Sequence, residues 1–196
     1  MSNISPKQKA GEAAAELIQD GMTIGIGTGS TVYLFIQALI HKTKQGLRIK
    51  GVPTSVQTQT LAAAGGIELI DLNDAEQLDI TVDGADEIDV QLNLIKGGGA
   101  ALLQEKIVAA ASKKMVVIAD ESKLVHTLGK FPLPVEVIPF AWKQTQKHIQ
   151  QLGCDKIMLR MKDEKILISD HGHYILDCYF EKIPDAAQLH QQLNDI

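Results

Sequence analysis

Five short runs rich in aliphatic and β-branched residues recur through the first two thirds of the chain, each separated from the next by a segment of helical spacing. The runs cover residues 22–26, 47–52, 67–70, 78–83 and 115–119. Each is too short for a stable helix and suits a buried strand. Between them, residues 7–20 carry Ala10, Ala14, Leu17 and Ile18 on one helical face, and Gly21 closes the segment. Residues 32–41 repeat the pattern with Leu34, Phe35, Ala38 and Leu39; 56–64 run to the Gly65-Gly66 pair, and 100–111 hold helix formers without a breaker. Strands alternating with helices at this spacing predict an α/β fold, a doubly wound and mostly parallel sheet.

In such sheets ligands bind beyond the carboxyl ends of the strands. Four predicted strands lead there into polar segments: Thr28 to Thr31 after the first, Thr54-Ser55 after the second, Asp83 and Asp86 after the fourth, Asp120 and Lys123 after the fifth. Polar loops cap strands everywhere, which accounts for any one of these segments but less well for all four. The first is strand, Gly27-Thr28-Gly29-Ser30-Thr31, helix: backbone N–H groups and hydroxyls that can hold a phosphate. No Gly-Lys-Ser/Thr follows, so it is not a Walker loop, and G-x-G-x-G is not the dinucleotide fingerprint. A plain tight turn is the competing reading.

The densest chemistry lies in DGADEIDVQLNLIKGGGAALLQEK, residues 83–106. It contains Asp83, Gly84, Ala85, Asp86, Lys96, the triplet Gly97, Gly98, Gly99, and Glu105. The glycines should lie at or just before a helix N-terminus, where unpaired N–H groups favour an anion or a developing oxyanion. On that helix Glu105 is flanked by Ala101, Leu102, Val108 and Ala109. A carboxylate on an apolar stripe is either withdrawn from water, which makes it a better base near neutrality, or a solvated Glu on a partly exposed helix. Helical spacing leaves both open.

Beyond residue 128 the pattern changes. GKFPLP at 129–134 reads as a boundary, because its prolines forbid helix and interrupt a ladder. Strands are expected at 135–138, 156–161, 165–169 and 174–179, with helices at 141–152 and 185–193. The expected organisation is an α/β substrate-binding and catalytic domain over 1–128 and a small α+β lobe over 129–196. His171-Gly172-His173 lies on a hairpin turn with no third ligand nearby, so no metal is expected. Trp142 is expected to pack rather than to serve as a binding platform. Cys154 and Cys178 form no C-x-x-C pattern and read as free thiols. A net charge of −5 without a Lys/Arg run argues against nucleic acid or an anionic membrane as the main partner. No apolar run is long enough to span a bilayer, and the first residues lack the apolar core of a signal peptide, so a cytoplasmic protein is expected.

Taken in order, GIGTGST, VPTS, DGADEID, KGGGAALLQEK, ADESK and GKFPLPVEVIP resemble ribose-5-phosphate isomerase of type A over nearly the whole chain. The resemblance implies interconversion of ribose 5-phosphate and ribulose 5-phosphate without cofactor or metal, in a homodimer or homotetramer. By motif it implies substrate contacts from Thr28, Gly29, Ser30 and Thr31, from Asp83, Gly84, Ala85 and Asp86, from Lys96, Gly97, Gly98 and Gly99, and from Lys123. Glu105 would be the proton acceptor, with Asp83, Asp86 and Lys96 as the other catalytic groups. In the family the chain runs past the last helix into another strand and back to the large domain, whereas this sequence ends at Ile196; stability, lobe packing and oligomerisation are where that difference is expected to tell. Rival readings are a non-catalytic sugar-phosphate sensor, which needs no base, and an amino-sugar-phosphate deaminase or acyl-CoA transferase on a related sheet. Glu105 and Asp83 speak against the first, and the KGGGAALLQEK segment against the others.

Overall fold

The computed structural model describes residues 4–196. In chain order the elements are α1 (Pro6–Ala15), β1 (Thr23–Ile26), α2 (Ser30–Lys44), β2 (Lys50–Pro53), α3 (Val56–Ala64), β3 (Glu68–Leu69), β4 (Ile80–Asp83), β5 (Glu87–Ile88), β6 (Leu94–Ile95), α4 (Leu102–Ala110), β7 (Met115–Val117), β8 (Leu133–Val137), α5 (Trp142–Gln151), β9 (Lys156–Leu159), β10 (Met161–Lys162), β11 (Lys165–Ile166), β12 (Tyr174–Tyr179) and α6 (Ala186–Asn194). Short 3-10 turns occupy Leu72–Asp74 and Glu121–Lys123. The chain packs as two units. They do not divide at a single cut after residue 128: the first holds Met1–Gly84 with Leu103–Ser122, the second Ala85–Leu102 with Lys123–Ile196.

The first unit is built on the expected parallel sheet, in the order β3-β2-β1-β4-β7, with every pairing parallel. Its core holds Ile24, Ile26, Phe35, Leu39 and Val82, each fully buried. Each such side chain is worth about 1.5–3 kcal/mol against exposure. β4 is buried throughout, Thr81 included. Thr81 is accommodated because its hydroxyl pairs with that of Ser112 at 2.6 Å. α1 stops at Ala15 rather than near residue 20: Leu17 N–H and Ile18 N–H bond three residues back, to Ala14 and Ala15. That tighter turn buries Ile18 and leaves Leu17 44% exposed.

The second unit contains an antiparallel sheet in the order β8-β12-β9 and the hairpins β5–β6 and β10–β11. Pro134 does not interrupt a ladder as expected; it lies inside β8, opposite Asp177 of β12. This is possible because β8 is an edge strand, where a missing N–H costs no pairing. The β10–β11 turn, Asp163 and Glu164, has φ of 50° and 61°, the twist a two-residue hairpin needs. Trp142 packs edge-to-face on Tyr174, with ring centroids 6.5 Å apart, beside Val137, Ile149 and Leu176. Cys154 and Cys178 are free and buried in the same cluster, and burial pushes both thiols up from their ordinary pKa.

Candidate active site

In the first unit the order of the strands puts the topological switch between β1 and β4, and the loops leaving their carboxyl ends are hydrogen-bonded to each other. Asp83, the last residue of β4, is fully buried; its Oδ1 accepts from Thr28 N–H at 3.1 Å and Gly84 N–H at 2.7 Å. Gly27 makes the approach possible: a Cβ there would lie 2.1 Å from Asp83 Oδ1 and 2.7 Å from its Cα. Thr28 Oγ1 lies 2.8 Å from both Thr54 Oγ1 and Ser55 Oγ and 3.2 Å from Thr58 Oγ1. Thr58 donates to the Gly27 carbonyl at 2.7 Å, while Ser55 caps α3 by accepting from Thr58 N–H. The ends of β1 and β2 are thus laced together by hydroxyls, and the Asp83 carboxylate joins the end of β4 to them, which fixes the loop from which α2 starts. Gly29, with φ 127°, precedes α2; Ser30 is exposed at its first position and Thr31 is buried.

α4 leads into β7, which runs parallel to β4, so its first turn lies toward the strands' carboxyl edge. Gln104 fixes this directly, donating to the carbonyl of Pro53 at the end of β2 at 3.0 Å. Glu105 is in that first turn and is only 4% exposed. The solvated alternative is therefore excluded for this residue. The helix begins at Leu102 rather than at 100, because Ala100 takes a φ of 63° and closes a turn onto the Gly97 carbonyl at 3.0 Å. Glu105 is accordingly only one turn into the helix.

In the second unit Asp86 is half-buried at the start of the β5–β6 hairpin and accepts from Gly98 N–H at 2.8 Å. Gly98 has no room for a Cβ, which would meet Asp86 Oδ1 at 2.4 Å. The next residue, Glu87, is buried and takes Gly129 N–H at 2.7 Å and Phe131 N–H at 2.6 Å, tying the hairpin to the 129–131 segment. The glycines do lie before the helix: Gly98 and Gly99 form an exposed turn behind buried Gly97. Arg160 Nη1 donates to the carbonyls of Gly97 at 2.7 Å and Gly98 at 3.2 Å. Lys96, Ala85 and Lys123 are half-buried, Lys123 closing its 3-10 turn.

The structure thus groups Thr28, Gly84 and Asp83 within the first unit, where Glu105 also lies at the carboxyl edge, and groups Asp86 with Gly97 and Gly98 within the second. Three contributors were not singled out from sequence. Thr58 could have been found from the Ser55-x-x-Thr58 capping spacing. Lys7, whose Nζ reaches Ser30 Oγ at 3.0 Å, and Arg160, 63 residues from Gly97, leave no local signal. Among the described residues no group of three or more His, Cys, Asp or Glu could hold a metal ion.

The sequence model of ribose 5-phosphate isomerase A (phosphoriboisomerase A) matches residues 50–196. A ribose-5-phosphate isomerase A of Bacillus mycoides is 57% identical over 191 residues, 97% of this chain and 86% of the relative. A ribose 5-phosphate isomerase A structure from Methanocaldococcus jannaschii superposes with TM-score 0.94 at 42% identity, covering 100% of this chain and 88% of its own. A D-ribose-5-phosphate isomerase in complex with phospho-erythronic acid also gives TM-score 0.94, at 43% identity over 97% of this chain and 85% of that one. Since the match runs through the sheet, the hydroxyl loop and the glycine turn alike, the chain belongs to the ribose 5-phosphate isomerase A family.

Proposed function

We propose that the chain is an aldose–ketose isomerase that interconverts D-ribose 5-phosphate and D-ribulose 5-phosphate in the pentose phosphate pathway. The observation that carries the reading is a carboxylate, Glu105, withdrawn from water in the first turn of α4 at the carboxyl edge of the sheet. A sensor needs to hold a sugar phosphate but has no use for such a group, and family membership does not favour that reading.

The chemistry assigns each residue a role. Ribose 5-phosphate is mostly a closed furanose, so Asp83 takes the anomeric hydroxyl proton while Lys96 or Asp86 assists protonation of the ring oxygen. Glu105 then lifts the proton from C2. The electron pair forms the C1–C2 double bond, and the carbonyl oxygen becomes the enediolate oxygen. Lys96 and the Gly97-Gly98-Gly99 turn stabilise that charge, through the N–H groups of Gly97 and Gly99, since Asp86 holds that of Gly98. Glu105 returns its proton to C1, the C2 hydroxyl proton passes to the C1 oxygen, and the ketose is formed. Thr28, Gly29, Ser30 and Thr31 hold the phosphate, and Lys123 adds a charge-assisted contact. The phospho-erythronic acid held by the relative pairs a phosphate with a planar carboxylate, the charge pattern of a phosphorylated enediolate, which supports an enediolate on the reaction path.

The reaction requires neither metal nor organic cofactor. The working assembly in this reading is a homodimer or homotetramer in the cytoplasm, with no nucleic-acid or membrane partner. The negative net charge speaks against a nucleic-acid partner, and among the described residues no helix is long and apolar enough to cross a membrane. The test is formation of ketose from ribose 5-phosphate by purified protein. Binding without ketose would favour a sensor, and ammonia released from an amino-sugar phosphate would favour a deaminase.

A further inference from the structure

Arg160 follows β9, with its own N–H bonded to the Ile175 carbonyl of β12 at 2.8 Å. Its side chain is 12% exposed and makes a two-point pair with Asp177: Nε to Oδ2 at 3.0 Å, and Nη2 to Oδ1. The remaining Nη1 is turned onto the glycine segment, where it meets two successive carbonyls, those of Gly97 and Gly98. An ion pair serving only the small sheet would have no need of that third arm.

A trans peptide group points its C=O and its N–H in opposite directions. Holding the Gly97 carbonyl therefore aims the Gly98 N–H away from the guanidinium, and it is taken by Asp86 Oδ2 at 2.8 Å. Holding the Gly98 carbonyl aims the Gly99 N–H away in the same manner. Among the described residues no protein acceptor takes that N–H. A cation on the carbonyl side also polarises each peptide group and strengthens its N–H as a donor. One guanidinium thus acts on two parallel relays. The first ends on the Asp86 carboxylate, and the second ends on a donor with no acceptor among the described residues.

We propose that Arg160, held by Asp177, is a positioning residue for the isomerisation: it orients and polarises the Gly97–Gly98 and Gly98–Gly99 peptide groups so that the Gly99 N–H serves the developing enediolate oxygen and Asp86 is held in register. The inference rests on the isomerase reading. Arg160 touches no reacting atom in it and acts through the backbone alone.

The test compares Arg160→Lys, which keeps the charge but cannot bridge Asp177 and two carbonyls, with Asp177→Asn, which weakens the ion pair while leaving the bonds to the carbonyls. For Arg160→Lys, kcat falls by about tenfold to a hundredfold, less than the loss of an oxyanion donor outright, and KM for ribose 5-phosphate moves by less than about threefold. Phospho-erythronic acid inhibits it more weakly by a comparable factor, while inhibition by inorganic phosphate is unchanged. Asp177→Asn, at a similar thermal midpoint, loses kcat by a clearly smaller factor than Arg160→Lys. Parallel losses of kcat, KM and thermal midpoint in both variants, or wild-type kcat in folded Arg160→Lys, would overturn the proposal. If Arg160→Lys does not fold, Arg160→Gln carries the same comparison; failure of both to fold, beside an active Asp177→Asn, would mark an architectural residue and equally overturn it. A wild-type protein that makes no ketose defeats the isomerase reading itself; an active wild type with unaffected Arg160 variants defeats only this inference.

Discussion

Gly27→Ala places a methyl group where the structure has least room for one. The new Cβ would lie 2.1 Å from Asp83 Oδ1, 2.3 Å from its Cγ and 2.7 Å from its Cα. Non-bonded heavy atoms need roughly 3.5 Å, so the overlap is on the order of 1 Å. Rotating the Asp83 side chain does not relieve it, because the Cα is part of the clash. The carboxylate is also held by Thr28 N–H and Gly84 N–H. Either the β1–α2 loop or the end of β4 must move. Overpacking costs about 1–3 kcal/mol, and disturbing hydrogen bonds to a charged acceptor costs about 1.5–3 kcal/mol each. The expectation is a loss of about 3 kcal/mol or more, which for a chain of this size is a fall of roughly 6–12 °C in Tm. Gly84→Ala is the control: its Cβ would meet only the Ile118 carbonyl, at 3.8 Å, so stability should change by less than about 1 kcal/mol. Scanning calorimetry on both variants, with KM for ribose 5-phosphate, reads the difference. A Gly27→Ala protein with wild-type Tm and KM would refute the packing argument.

Ser30→Ala should weaken ribose 5-phosphate and inorganic phosphate alike, by about threefold to tenfold in Kd or Ki, while free ribose is unaffected; calorimetric titration checks this, and equal losses for phosphorylated and free sugar would count against it. Exhaustive chelation should leave turnover unchanged, and loss with recovery on adding Mg²⁺ or Zn²⁺ would overturn the metal-free chemistry. The hydrogen bond from Lys113 and the Thr23 N–H hold the Asp79 carboxyl below its ordinary pKa. A carboxyl with a depressed folded pKa stabilises above its unfolded value near 3.8 and loses that contribution as pH falls through the folded value. Asp79→Asn should therefore cost about 0.5–1 kcal/mol at pH 7 and progressively less on acidification below pH 4, as denaturant titrations at several pH values would record.

Elements whose local pattern and tertiary role agree were legible in the sequence. The limits of α3 and β12 follow from residues 56–64 and 174–179, and β4 ends at Asp83 as Gly84 suggests. The β5–β6 hairpin escaped because two-residue strands carry no periodicity to read. Pro134 misled because its tolerance depends on β8 being an edge strand, a fact of topology rather than of sequence. The start of α4 was misplaced by two residues because nothing in Gly-Gly-Gly-Ala-Ala announces that Ala100 takes a positive φ. Within the candidate site, the carboxylates, hydroxyls and glycines were visible as residue types at strand ends. The side chains that brace them, Thr58 against Gly27 and Arg160 against Gly97, come from distant positions, and only the folded chain brings them into contact.

In the proposed reaction Glu105 carries the proton between C2 and C1. Glu105→Gln keeps the shape and the helix but cannot accept that proton, so its steady-state kinetics on ribose 5-phosphate are the most direct measurement. The expected result is a kcat lower by about a hundredfold or more, with KM within about threefold of wild type and Tm within a few degrees. A Glu105→Gln protein that isomerises ribose 5-phosphate near the wild-type rate would contradict it and move the search for the base to Asp83.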